Sequence, residues 1–202
     1  MGMNPAERMR AISKGISKEL RHVAHPNMHS DGYLPLADLL NTVTLGDLWS
    51  SQEDVRRVIR GEGENWKRRF GIGVIEQSSE IAVRACQGHS AKSGIRDYVL
   101  PVIEGLGVLM HGATLSAAKQ IAKEGFPRQG RFHIHFYECD MGGKPLIRKE
   151  RVRASSEAII VVAAGRCENL GIVFYRAPNG VILSAGLSGI TPPDCVLCKT
   201  SP

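Results

Sequence analysis

Arg21-His22 and Arg131-Phe132-His133-Ile134-His135 lie in opposite halves of the chain, and both set fixed cations beside imidazoles. Between them stand Arg68-Arg69-Phe70, Arg84 followed by Gln87-Gly88-His89-Ser90, and His111-Gly112. Guanidinium forks hold a phosphate in two-point geometry and stay charged in proteins. An imidazole beside them can accept or relay a proton near neutral pH. A site rich in cations and imidazoles and poor in acids suits a doubly charged phosphate better than a carbonyl or a metal ion. Phosphate-directed chemistry is the expectation to be tested.

Each piece taken alone has an ordinary structural account. A cation at a helix C-terminus, as at Arg21-His22, is favoured by the carbonyl dipole. Trp66-Lys67-Arg68-Arg69 has the composition of a solvated turn. His133-x-His135 can be half of a metal site, but His111 and Cys139 do not complete a standard spacing, so no metal is expected. Cys195-x-x-Cys198 has no second pair, which argues against a zinc ribbon. Less ordinary is Arg84-Ala85-Cys86-Gln87-Gly88-His89-Ser90, a strand end running into a loop able to offer amides and polar side chains to an anion.

The elements that must carry these residues can be read from periodicity. Met9, Ile12, Ile16, Leu20 and Val23 recur at steps of three or four, one buried stripe of a helix. Arg10, Lys14, Lys18 and Arg21 share that spacing on another face. Leu36, Leu39 and Leu40 mark a short helix. Ser51 to Asp54 has the form of an N-cap with an acid three residues on, ahead of Val55, Val58 and Ile59. Phe70, Ile72 and Val74 alternate as a strand, with Ile81-Ala82-Val83 returning after a turn at Gln77-Ser78-Ser79. Helices followed by a β-hairpin predict a winged-helix lobe.

The second half reads as mainly β. Gly107 to Met110 is a short strand running into His111-Gly112. Thr114 to Glu124 is a helix with Leu115, Ala118, Ile121 and Ala122 inward and Gly125 as its stop. Phe132 to Tyr137 and the wholly apolar Ala158 to Ala164 are strands. Asn179-Gly180 joins Val173–Arg176 to Val181–Leu183 as a hairpin. The fold class expected is α+β, with one lobe over residues 8–97 and a second, β-rich lobe over 98–202, meeting near Ser93 to Pro101.

Composition sets limits on partners. The chain has 202 residues, 43% of them hydrophobic, and a net charge of +6. That charge is shared between both halves, with no lysine-rich tail, so an anionic partner would be held by placed arginines. No run of about 18 apolar residues predicts a membrane span, and the N-terminus lacks the apolar core of a secretory signal. Five scattered cysteines do not form a disulfide framework, and a reducing, intracellular setting, cytoplasmic or nuclear, is the expectation.

The combination is more specific than its parts. Ile12-Ser13-Lys14, Leu20-Arg21-His22, Asp31-Gly32-Tyr33, Leu39-Leu40, Arg69-Phe70, Gln87-Gly88-His89-Ser90, His111-Gly112, Arg131-x-His133-Ile134-His135 and Asn179–Leu183 occur in this order. Together they resemble the KptA-type RNA 2′-phosphotransferases over about residues 10–190. The resemblance implies an N-terminal winged-helix lobe that binds RNA and a C-terminal lobe of ADP-ribosyltransferase-like fold. It implies that NAD is consumed to remove an internal 2′-phosphate of the kind left at a tRNA splice junction. The phosphate attacks the nicotinamide ribose and expels nicotinamide; a ribose hydroxyl then attacks phosphorus, releasing ADP-ribose 1″,2″-cyclic phosphate.

By the same resemblance Arg21, His22, Arg69 and Arg131 are the catalytic set, and His111, Gly112, His133 and His135 bind NAD. Lys14, Arg84, His89, Ser90 and Arg153 are further candidates for RNA or its phosphates, and a monomer is expected. Three departures stand in the second half: Ala113 where the family has Thr, Phe132 where it has Asn, and Glu150-Arg151-Val152-Arg153 in place of Ser-Gly-Met-Arg. They leave two rivals, ADP-ribosylation of terminal phosphates on RNA or DNA, and a silent winged-helix RNA-binding protein.

Overall fold

The computed structural model describes residues 3–62, 68–76, 78–93, 95, 100–139 and 156–200. Trp66, Lys67, Gln77 and the Glu150–Arg153 segment, with the candidate Arg153, lie outside them, as does most of the expected junction between Ser93 and Pro101. The chain is α+β with antiparallel sheets, as its pattern predicts. It separates into two compact units, Met1–Val99 and Leu100–Pro202.

The first unit is built on α1 (Pro5–His22). Asn4 and Glu7 cap its start reciprocally, and Pro5 begins it with a residue whose missing N–H costs nothing there. Ile12, Ile16 and Leu20 are fully buried, each contributing about 2 kcal/mol of apolar burial. Val23, read as the end of the stripe, is already extended and lies beyond the helix. After β1 (Leu34–Pro35) come α2 (Leu36–Leu40), α3 (Val43–Gly46) and α4 (Gln52–Arg60). Ser51 and Asp54 form the expected capping box of α4.

Strands β2 (Phe70–Ile75) and β3 (Glu80–Ala85) form the expected hairpin, and β1 adds to β3 in a sheet ordered β1-β3-β2. Phe70 and Ile75 are buried, whereas Ile72 and Val74 between them are 49% and 62% exposed. Gly73 meets the Tyr33 ring so closely that a Cβ would lie 2.9 Å from it. The Arg84 guanidinium stacks over that ring, 4.7 Å from its centroid.

The second unit is a fully antiparallel seven-stranded sheet ordered β12-β8-β5-β7-β10-β9-β4. Its strands are β4 (Val102–Ile103), β5 (Val108–Ala113), β7 (Ile134–Cys139), β8 (Ala158–Ala163), β9 (Phe174–Arg176), β10 (Ile182–Ser184) and β12 (Val196–Thr200). A small pair joins β6 (Phe126–Pro127) to β11 (Ile190–Thr191). Helix α5 (Leu115–Glu124) is capped by Thr114, and α6 (Ala164–Asn169) follows β8.

Four expectations are corrected here. His111-Gly112 belongs to β5 rather than following it, because its backbone pairs with β8 through Ala113↔Ala158. The strand expected from Phe132 begins at Ile134, where pairing with Ser184 starts. Leu115 is 48% exposed, not inward, since it opens the first turn of α5 where the core is not yet reached. Ala164 starts α6 rather than ending β8.

Arg8 clamps α1 to α4 with a two-point fork on Asp54, at 2.9 and 3.0 Å. That hydrogen-bonded guanidinium holds the Asp54 carboxyl well below the usual carboxylate range, despite the opposing cost of burial. A depressed carboxylate adds stability above its ordinary titration range and loses it as pH falls towards the folded-state value. Replacing Asp54 by Ala is expected to lower the unfolding free energy by about 1–2 kcal/mol at neutral pH. Denaturant titrations should show that difference shrinking below about pH 4.

Candidate functional site

Three of the four residues expected to be catalytic, Arg21, His22 and Arg69, belong to the first unit. Arg21 and His22 form the last turn of α1, where the helix dipole favours a cation. The loop after β3 folds onto that helix end. The Ser90 amide and hydroxyl both donate to the Arg21 carbonyl, at 3.0 and 3.3 Å. Gly88 has φ +92°, a conformation other residues adopt at a cost, and faces the Arg21 side chain with room for little more than a methyl group.

The same loop meets His22. Ser90 Oγ also lies 3.2 Å from His22 Nδ1, so one hydroxyl faces both the Arg21 carbonyl and the imidazole and couples them through its single proton. His22 is exposed while Ser90 and His89 are buried. Ser90 thus stands behind the imidazole, at its back nitrogen.

Arg69 enters the same region at the base of the hairpin, its carbonyl accepting from the Cys86 amide at 2.8 Å. Burial pushes the Cys86 thiol up, against the opposing influence of Arg21, Arg84 and Arg68. Those guanidinium groups therefore surround the end of β3. His22 and Arg69 also line a groove along α1 with Arg10, Ser13, Lys14, Ser17 and Lys18. Among the described residues no carboxylate lines it.

In the second unit, Arg131, His111, Gly112, His133 and His135 line one cavity of ≈ 320 Å³. They come together although Arg131 and His133 precede the regular part of β7. The pairing of β5 with β7 runs from Val108↔Cys139 to Met110↔Tyr137 and stops. There the His111 imidazole takes over, its Nδ1 2.7 Å from the His135 carbonyl. Since a carbonyl only accepts, Nδ1 carries the proton, and Nε2 is the acceptor nitrogen. The ring stands edge-on to Phe126, 4.6 Å between centroids, and Phe126 in turn meets Phe136 in the core.

His133 is neutral-biased. Burial lowers its pKa, and the Arg128 guanidinium lowers it further. Arg128, Thr114 and Ser156 line the cavity but were not read from the sequence as site residues. Pro127-Arg128-Gln129-Gly130-Arg131, two arginines across a turn, was the available signal. Ala113 is part of the wall, whereas Phe132 is not among the described lining residues. The bulky ring at the second departure thus stands beside the cavity rather than in it.

Two guanidinium groups, imidazoles with assigned acceptor nitrogens, and the Thr114 and Ser156 hydroxyls make a donor set suited to a nucleotide's phosphates and ribose. Among the described residues no three of His, Cys, Asp and Glu gather as a metal group, and no helix is long and apolar enough to cross a membrane. Cys86, Cys139, Cys167 and Cys195 are buried thiols outside any disulfide.

Comparison with known proteins bears on this arrangement. A profile of the family described as RNA 2'-phosphotransferase, Tpt1 / KptA family, matches residues 7–186. The human tRNA 2'-phosphotransferase 1 is 32% identical over 180 residues, covering 87% of this chain and 68% of that protein. The tRNA 2'-phosphotransferase of Saccharomyces cerevisiae is 29% identical over 189 residues, 87% of this chain and 78% of its own. A relative from Schizosaccharomyces pombe is 30% identical across 88% of this chain, which spans only 47% of that longer protein.

Two measurements test these imidazoles. Nitrogen NMR of His22 should show the balance of its ring tautomers changing in Ser90→Ala, which removes the hydroxyl 3.2 Å from Nδ1; an unchanged spectrum would remove Ser90 from control of the ring. For His133, the titration midpoint should lie below the ordinary histidine value of about 6.5 and rise in Arg128→Ala.

Proposed function

The chain belongs to the RNA 2′-phosphotransferase, Tpt1 / KptA family, and from that premise we propose that it is a transferase removing an internal 2′-phosphate from RNA at the expense of NAD. The RNA carries the phosphate at a junction of the tRNA-splicing kind. On this reading residues 8–97 are a winged-helix RNA-binding lobe and residues 98–202 an ADP-ribosyltransferase-like lobe that takes NAD. Helices leading into the β2–β3 hairpin support the first assignment. The antiparallel sheet with its imidazole-walled cavity supports the second.

The observation that carries the reading is the acid-free convergence at the end of α1, where His22 and Arg69 line one groove and Arg21 is held by the Ser90 loop. A dianionic 2′-phosphate must be positioned there without losing its nucleophilicity. Arginine forks do this through fixed geometry. The His22 imidazole can take the proton of the attacking hydroxyl when phosphorus is transferred. Arg131 would steady the charge that builds on the phosphoryl oxygens.

NAD as co-substrate supplies an electrophilic ribose carbon with nicotinamide as its leaving group. His111, Gly112, His133 and His135 would hold that half of the molecule. His111 Nε2 and the low-charge His133 ring can accept from ribose hydroxyls and leave the cavity's positive charge to Arg128 and Arg131. Lys14, Arg84 and His89 remain candidates for the RNA around the phosphate.

A short RNA with one internal 2′-phosphate, resolved with and without NAD, tests the proposal. Loss of the phosphate only with NAD, together with ADP-ribose cyclic phosphate, is expected. An RNA that gains and keeps an ADP-ribose would make ADP-ribosyl transfer the activity, and no reaction at high NAD would leave a silent RNA-binding protein. Arg21→Ala, His22→Ala, Arg69→Ala and Arg131→Ala should each cut the rate about a hundredfold or more. Full activity in any one strikes that residue from the set.

A further inference from the structure

The groove that ends at His22 and Arg69 does not stop there. It runs back along α1 past Ser17, Lys18, Lys14, Ser13 and Arg10, with a volume of ≈ 470 Å³. A single transferred phosphate needs only its near end. Arg10, Lys14 and Lys18 occupy successive i, i+4 positions, so a rise of 1.5 Å per residue spaces their backbones by about 6 Å. That step is comparable to the separation of neighbouring phosphates along one nucleic-acid strand. Ser13 and Ser17 lie between the cations as hydrogen-bonding groups, and Lys18 Nζ rests 3.4 Å from the Thr44 hydroxyl.

Glu7 caps α1, and Glu19, 5% exposed, is buried against Thr44 and His25, so that Lys18 meets it only through the shared Thr44 hydroxyl. Among the described residues the groove is thus lined by one sign of charge, at a spacing that matches a chain of phosphodiesters rather than a point charge. We propose that Arg10 and Lys18 bind the phosphodiester backbone of single-stranded RNA flanking the reacting nucleotide, so that α1 acts as a track leading the strand into the site. The inference rests on the 2′-phosphotransferase reading for its direction but not for its existence, because strand binding can be measured without turnover.

The track predicts a dependence on substrate length. Two RNAs with the same 2′-phosphorylated junction, a dinucleotide and a long single strand, are compared with native protein and an Arg10→Ala/Lys18→Ala double variant. For the long strand, the variant's KM is expected to rise about tenfold with kcat unchanged. Its plot of log affinity against log salt should flatten by about 1.4, two phosphate contacts at about 0.7 each. Dinucleotide kinetics and the melting midpoint should not move, and Arg10→Lys/Lys18→Arg should retain the long-strand affinity.

Equal losses on both RNAs, or no loss on either, would overturn the track. If native protein turns over neither RNA, the enzymatic reading falls, and fluorescence polarisation with the long strand decides the track separately. Weaker, less salt-sensitive binding by the double variant then sustains it, and identical binding ends it.

Discussion

A helix leaves its last carbonyls without donors of its own, and α1 resolves this by giving the Arg21 carbonyl to the amide and hydroxyl of Ser90. Much follows from that local need. The loop from Gln87 to Ser90 is fixed against the helix end, Gly88 is drawn close to the Arg21 side chain, and the Ser90 hydroxyl is placed beside His22 Nδ1. A residue remote in sequence thereby sets the chemistry of the helix terminus. The capping box at Asn4 and the fork between Arg8 and Asp54 hold the other end of the same helix, so its cationic face is presented on a rigid element.

The second unit solves a related problem with a different part. Where the β5–β7 ladder stops, an unpaired backbone oxygen would be costly to bury, and the His111 side chain supplies the donor. The gap between strands is at once the opening of the cavity and the reason its principal imidazole has a defined tautomer. In both units a backbone carbonyl at the end of a regular element is met by a group tied to a histidine, the Ser90 hydroxyl beside His22 and the His111 ring itself. The aromatic contacts from His111 through Phe126 and Phe136 to Phe174 tie that ring to the core.

The regular elements were legible because their signals are periodic and local. The α1 stripe, the Ser51–Asp54 cap and the Asn179-Gly180 hairpin each announce themselves within a few residues. The pieces not read were shaped by tertiary contacts: the two-residue strands β1, β4, β6 and β11, the short helices α3 and α6, and β12, which pairs with β8. The residue types of the site were visible, but not their states. Nothing in the spacing of Arg21 and Ser90 reveals a shared hydroxyl, and nothing in His111-Gly112 reveals that a ladder ends one residue earlier. Arg128 shows the same limit. Its influence on His133 comes from a turn that brings Pro127–Arg131 around the cavity.

The absence of carboxylates along the described groove has a consequence for what happens after chemistry. An RNA arriving with a 2′-phosphate carries two charges that its product lacks, and on the proposed reading those charges would sit where His22 and Arg69 close the groove. On the proposed reading, catalysis itself erases the strongest reason for the strand to remain. The enzyme would then need no separate motion to tell substrate from product, because the reaction discharges the ligand and the flanking strand is left to salt and solvent.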